Sequence, residues 1–363
     1  MTCFPNLTYP GKCKFFLSDF PLRVIRRDKV TRYLIAISLI ASSLLIGCGS
    51  RPETSQSDDE TATQKPLYRI AVIPMATTDV FWTSVHAGAM QAAEELGNVE
   101  IYWEGPLTMN DREGQINIVQ NYVAQEVDGI VLAPIDRTAL VRYVADAQLS
   151  GIPVVVIDSA LDDESTTVSF VATDNYHGGE LGARTLAKSM NNEGDAILLR
   201  YTVGQESAAQ REQGFLDTMS KEFPDINMLS DNQYSGPTEV DAYNKSMDLL
   251  NQFGDRVDGI FVICNRTATG VLQALEEEEL VDKVKLIGFD RTSHLVKALE
   301  DGKLQALVVQ DPINIGYLGV KTMVAHLRGE KVEKRIYTGE YVATKENLDD
   351  PKINRLLNPQ KVD

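Results

Sequence analysis

The sequence predicts an α/β protein built as two Rossmann-like lobes, each a doubly wound parallel sheet, joined by three crossover segments. Three observations carry this. The first is an internal repeat. Val127-Asp128-Gly129-Ile130 opens an apolar strand at 130–132, a helical run follows at 138–148, and the strand Val154-Val155-Val156-Ile157 stops at Asp158. Further along, Val257-Asp258-Gly259-Ile260 opens a strand at 261–263, a helical run follows at 268–279, and a strand at 284–289 stops at Asp290. The second is strict alternation of short apolar strands with helical runs, as expected of parallel sheets covered on both faces. The third is length, since 363 residues supply two domain cores. Ligands of such sheets sit beyond the carboxyl ends of the strands. Two facing lobes would therefore set Asp158 and Asp290 across one cleft.

The elements follow in order. Residues 69–73 read as the first strand and 81–96 as a helix, with Val85, Ala89, Ala92 and Leu96 at helical spacing. A strand at 100–103, a helix at 115–125, the first copy of the repeat and a strand at 168–172 complete one series. Asp174-Asn175-Tyr176-His177-Gly178-Gly179 opens a helix to Met190, and alternation restarts: strand 196–199, helix 208–221, strand 227–229, helix 240–253, then the second copy. A strand at 306–310, a helix at 315–327 and an extended run at 335–342 follow. The restart near Asp174 marks one crossing between lobes. The helix after Gln310 and the last extended run imply two more. Lobe 1 is expected at 67–173 plus 311–338, and lobe 2 at 174–310 plus 339–349, with 350–363 as a C-terminal tail. Gly178, Gly179 and Gly182 read as close helix packing rather than a phosphate loop. The acidic run at 276–279 reads as a solvated helix end, not a metal site.

The N-terminus reads as an address. A basic stretch from Arg23 to Arg32 precedes an apolar run from Tyr33 to Ile46, too short to span a bilayer comfortably and suited to a signal-peptide core. It ends in Leu45-Ile46-Gly47-Cys48, which resembles a bacterial lipobox, so 1–47 is expected to be a lipoprotein signal peptide and Cys48 the lipidated residue. The first 22 residues are long for a signal n-region, consistent with an over-extended start. Residues 48–66 are polar and read as a disordered tether. Only Cys48 and Cys264 would remain after cleavage, leaving no disulfide framework, and Cys264 reads as a small buried residue. Residues 1–47 carry +5 of a net −17, so the remainder carries −22, which disfavours nucleic acid and anionic lipid as partners.

Several residues could carry a site. Phe81 and Trp82 start a helix beyond the first strand and can lie on the C–H face of a sugar ring, with a core aromatic pair as the plainer reading. Asp158 and Asp290 sit at matching strand ends, where a carboxylate accepts from neighbouring hydroxyls or caps a helix. Arg211 lies near a helix start, with Gly214-Phe215 one turn on, and brings five donors. Asn265 and Gln310 place amides at strand ends. Enzyme readings find little support. The four histidines (His86, His177, His294, His326) form no metal spacing, and no nucleophile elbow or Gly-rich phosphate loop with Lys appears. No cofactor and no metal are expected.

At these residues the chain resembles the periplasmic sugar-binding proteins of the ribose-binding type, relatives of the lactose-repressor family. The marks are Phe81-Trp82, Val127-Asp128-Gly129-Ile130, Gly151-Ile152-Pro153-Val154, Asp158, Thr173-Asp174-Asn175 with Gly178-Gly179, Arg211 with Gly214-Phe215, Gly288-Phe289-Asp290 and Gln310. The resemblance implies the type I periplasmic binding protein fold with a sugar between the lobes. Phe81 and Trp82 would sandwich the ring, Asp158, Arg211, Asp290 and Gln310 would hold hydroxyls, and Tyr234 would be a further aromatic wall. There are departures: the ribose binders have Asn at Ala133 and Arg at Ser159, their turn before Phe81 is one residue shorter, and the family asparagine after the 260–263 strand falls on Cys264, beside Asn265.

The expected function is that of a monomeric substrate-binding lipoprotein of an ABC-type importer in the cell envelope, docking on a membrane permease. A sensory protein presenting a sugar or signal to a membrane histidine kinase is the alternative. A repressor would need a DNA-binding motif where the lipobox stands, and an exported hydrolase would need a nucleophile–base pair.

Overall fold

The computed structural model describes residues 67–359; the signal segment, Cys48 and the tether lie outside the described residues. The first series runs β1 (Tyr68–Ile73), α1 (Val80–Leu96), β2 (Val99–Trp103), α2 (Arg112–Ala124), β3 (Gly129–Leu132), α3 (Val141–Leu149), β4 (Val154–Ile157) and β5 (Ser169–Ala172). The second runs α4 (Asn175–Ser189), β6 (Gly194–Arg200), α5 (Glu206–Glu222), β7 (Ile226–Tyr234), α6 (Glu239–Phe253), β8 (Gly259–Val262), α7 (Asn265–Glu277), β9 (Lys285–Phe289), α8 (Ser293–Asp301) and β10 (Ala306–Gln310). Then come α9 (Pro312–Leu327), β11 (Arg335–Tyr337), β12 (Glu340–Thr344) and α10 (Pro351–Leu357). The strands form two six-stranded sheets, ordered β11-β5-β4-β3-β1-β2 and β12-β10-β9-β8-β6-β7. Strand for strand the orders match, and the two-lobed α/β class is the one expected. β12 runs antiparallel to β10, whereas β11 runs parallel to β5.

The repeated motif has one physical job in both lobes. Val127 and Val257 are buried. Asp128 Oδ2 accepts from the Arg69 N–H at 2.7 Å while its own N–H donates to Arg69 O at 2.9 Å. Asp258 repeats this with Asp195, at 2.8 and 2.9 Å. The carboxylate thus pins β3 to β1 and β8 to β6. A Cβ on the glycine that follows would stand 2.4 Å from Met323 Sδ in lobe 1 and 2.4 Å from Met190 Sδ in lobe 2, so the helix above lies directly on the strand. β3, β4 and β8 are buried at every position, which is why they read as continuous apolar runs.

Glycines also set the helix pairs. On α4 and α5, a Cβ at Gly179 would lie 2.1 Å from Arg211 O and one at Gly214 would lie 2.0 Å from Tyr176 O. The Gly178–Gly179 cluster is therefore a helix-packing device, with Gly182 under Phe261. Lobe 1 repeats the device with Gly88 against Ile313 O and Gly316 against Val85 O.

The expectations for the C-terminal tail and for β7 are corrected, and the run at 335–342 resolves into two strands. Residues beyond 350 are not simply a tail: Asp350 caps α10, which buries Ile353, Leu356 and Leu357 in the lobe 2 core. The extended run at 335–342 is two strands in different sheets, separated at Thr338 and Gly339, where Gly339 takes φ +89°. β7 reaches Tyr234 because an edge strand tolerates the polar run Ser230 to Gln233.

Candidate functional site

In each sheet the strand order reverses between two strands, β1 and β3 in lobe 1, β6 and β8 in lobe 2. Loops leaving such a pair diverge and open a crevice. In lobe 1 the crevice is braced by Gln115, fully buried on α2. Its Nε2 donates to Pro74 O at 3.0 Å and Ala133 O at 2.7 Å, and its Oε1 accepts from the Ile135 N–H at 2.9 Å. One side chain thus ties the loops after β1 and β3 together.

The two aspartates occupy equivalent places. Asp158 follows β4 and Asp290 follows β9, strands with the same position in each order. Both take the left-handed backbone, at φ +65° and +64°. Each N–H bonds the adjacent strand, Asp158 to Val171 O at 3.0 Å and Asp290 to Val308 O at 2.8 Å. That conformation costs an ordinary residue about 1–2 kcal/mol, and Asp tolerates it best with Asn and Gly. Strain repeated at the same place in both lobes turns both carboxylates into one cleft.

Around them the cleft is lined by Asp79, Phe81, Trp82, Tyr201, Gln205, Ser207, Arg211, Cys264, Asn265 and Gln310, with Met75 and Met109. In this closed form the cavity is narrow, about 50 Å³. Arg211 is buried and held from three sides. Its Nε donates to Asn175 Oδ1 at 2.9 Å, its Nη1 donates to Ile263 O at 2.9 Å, and its guanidinium lies 3.8 Å over the Phe289 ring. From there it faces Asp290 Oδ2 at 3.7 Å. Gln310 Nε2 donates to Asp290 Oδ1 at 2.7 Å, while its buried Oε1 has no partner among the described residues. The Asp158 carboxylate makes no hydrogen bond or ion pair among the described residues, although the residue is only 5% exposed.

Burial dominates the electrostatics. It pushes the Asp158 carboxyl up to about 7, with Arg211 pulling down and Asp290 and Glu206 adding to the rise. Asp290 is raised by burial as well, against the pull of Arg211 and the Gln310 amide. Burial likewise pushes up the Cys264 thiol and the Tyr201 phenol. Such carboxylates accept strongly from hydroxyls that reach them in a dry site.

The lobes are closed on one another. Ser159 Oγ donates to Ser207 Oγ at 2.7 Å and accepts from the Ser207 N–H at 3.1 Å. Arg266 on α7 pairs with Asp79, the N-cap of α1, at 3.2 Å, and the Arg137 N–H donates to Gly204 O at 3.1 Å. Ser159, where ribose binders carry Arg, thus bonds the opposite lobe.

Of the residues singled out from sequence, the structure gathers Phe81, Trp82, Asp158, Arg211, Asn265, Asp290 and Gln310 around the cleft. Two readings need correction. Phe81 and Trp82 touch edge to face, with centroids 4.9 Å apart and planes at 85°, so they make one wall and no sugar fits between them. Tyr234 is outside the cleft, because β7 is the edge strand; its ring lies 41% exposed, 5.8 Å from the Arg200 guanidinium. Asp79, Tyr201, Gln205 and Ser207 were not anticipated. Cys264 is half-buried and lines the cleft beside Asn265.

Residues 70–331 match the periplasmic binding protein domain. The chain belongs to the periplasmic binding protein family. A carbohydrate-transporter solute-binding protein from Agrobacterium radiobacter, solved with D-arabinose, is 37% identical, with TM-score 0.77 over 80% of this chain and 99% of that one. An ABC transporter solute-binding protein from Agrobacterium vitis, solved with D-fucose, is 35% identical, with TM-score 0.76 over 80% and 99%. The ribose import binding protein RbsB of Haemophilus influenzae is 28% identical over 303 residues, 83% of this chain and 96% of its own. The fold is therefore the type I periplasmic binding protein fold. The family consists of solute-binding proteins rather than enzymes, and these relatives are sugar-binding proteins of import systems.

Proposed function

We propose that the protein is the substrate-binding component of an ABC-type importer and takes a sugar or related polyol between its lobes. The observation that carries this is the pair Asp158 and Asp290: equivalent strand ends, the same left-handed backbone, one shared cleft. Each lobe brings one carboxylate. Arg211, Asn265 and Gln310 add donors and acceptors, Gln310 Oε1 offers an unpaired acceptor, and Phe81, Trp82 and Tyr201 supply the apolar surface. A ligand with hydroxyls on opposite edges contacts both lobes only when they are closed, so binding shifts the population toward closure. The closed form is the one presented to a membrane permease. The lipobox at Cys48 supports a lipid anchor in the cell envelope, holding the binding domain on a polar tether.

Isothermal titration of the purified protein against a panel of sugars and polyols tests the reading. Saturable one-to-one binding of at least one is expected, and heats of dilution alone for all of them would overturn it. Labelled palmitate incorporated by the native chain but not by Cys48→Ala tests the anchor.

A further inference from the structure

The cleft adjoins a second cavity through shared walls. Met109, Tyr201 and Gln205, which line the cleft, also line this outer chamber of about 330 Å³, open to solvent and walled further by Arg112, Asp136 and Val203. Half of these residues come from each lobe, so the chamber is complete only in the closed form. Its one cation is answered within the protein. Arg112 stands 3.7 Å from both Asp136 and Glu113, and Asp136 Oδ1 accepts from the Thr138 and Ala139 N–H groups at 3.0 and 2.8 Å. Asp111 is also in the wall, its Oδ1 accepting from the Gly114 N–H at 2.9 Å, so the chamber sets three carboxylates against one guanidinium and disfavours a phosphate. Gln205 stands at the junction. It is 9% exposed, and its side-chain amide makes no hydrogen bond among the described residues, although it precedes the first turn of α5. A buried amide with free donor and acceptor, facing two adjoining cavities, matches an ether oxygen and its neighbouring hydroxyl.

We propose that the ligand carries a second glycosyl unit, seated in this outer chamber while the first ring occupies the cleft, with Gln205 bonding at the linkage. The ligand class is then a two-ring carbohydrate or a glycosylated polyol. This rests on the proposed sugar-binding function and goes beyond it.

The test titrates the purified protein with D-ribose, D-arabinose, D-fucose, D-galactose and myo-inositol, and with lactose, melibiose, sucrose and galactinol. At least one two-ring ligand is expected to bind about tenfold tighter than its parent ring. Val203→Trp, on a side chain 83% exposed, should fill the chamber and abolish that advantage, and Arg112→Ala should reduce it, while binding of single rings is unchanged. Single rings binding with no two-ring ligand tighter would overturn this inference and leave the proposed function standing. So would a Val203→Trp variant that weakens both classes alike. Binding of neither class overturns both.

Discussion

At the scale of single residues, the site places carboxylates where folding alone would not keep them. Asp290 accepts from Gln310 and faces Arg211, so Asp290→Ala would leave two buried donors unanswered as well as removing the proposed ligand contact. A loss of about 1.5–3 kcal/mol of sugar affinity is expected, a tenfold to more than hundredfold rise in Kd. Tyr234→Ala, outside the cleft, should leave single-ring affinity unchanged in the same titration. Asp158 carries the sharper consequence. Its carboxyl is raised to about 7, chiefly by burial, so the folded closed form holds that proton more tightly than the unfolded chain. Stability from this group is greatest at about pH 4 and below, and falls as pH rises from there towards 7. Asp158→Asn should therefore raise Tm of the ligand-free protein at pH 8, leave it nearly unchanged at pH 4, and weaken sugar binding. Melts showing the same increment at both pH values would contradict the assignment. Asp158, Arg211, Asp290 and Gln310 were legible in the sequence because strand ends and helix starts place them without knowledge of the loops. Asp79, Tyr201 and Gln205 were not, since their loops acquire direction only when the lobes meet. Nothing in the pattern around Tyr234 distinguishes an edge strand from a central one.

At the scale of elements, equal glycine contacts in the two lobes have unequal consequences. Gly316 lets α9 lie on α1, and Gly179 lets α4 lie on α5. A methyl group at either would meet a backbone oxygen at about 2 Å, closer than real Cβ contacts allow, so the helices must separate. Gly316→Ala and Gly179→Ala should each cost about 1–3 kcal/mol of stability in denaturant melts. Only Gly179→Ala should also weaken ligand binding, because its clash falls on the carbonyl of Arg211. Equal affinity loss in both would show that the damage is general. The repeat at 127–130 and 257–260 made the four central strands readable, since a run buried on both faces carries no competing polar period. β7 and α10 lay beyond that signal. One is a half-exposed edge strand rich in polar residues, and the other is a helix of seven residues whose apolar face is seen only against the lobe 2 core.

At the scale of the whole molecule, the question is what holds the lobes together before a ligand does. The direct ties include Ser159 to Ser207, the Arg137 N–H to Gly204, Asn175 to Asp158 O, Arg355 to Asp311, and Arg266 with Asn265 to Asp79. Against them stands the cost of burying Asp158 and Asp290 in the closed form. Apparent affinity is the intrinsic affinity of the closed form scaled by how often it is populated. Arg266 lies on α7 with its side chain 19% exposed, and its guanidinium reaches across to Asp79 rather than into the ligand space. Arg266→Ala should therefore act on the equilibrium and not on the contacts. A loss of about 1 kcal/mol is expected, close to fivefold in Kd. Small-angle scattering of the ligand-free variant should give a larger radius of gyration than the ligand-free native protein, and the two should converge at saturating ligand. A variant that binds fivefold more weakly with an unchanged ligand-free scattering profile would place Arg266 in the ligand shell instead, and closure would then rest on the crossover segments and the remaining ties.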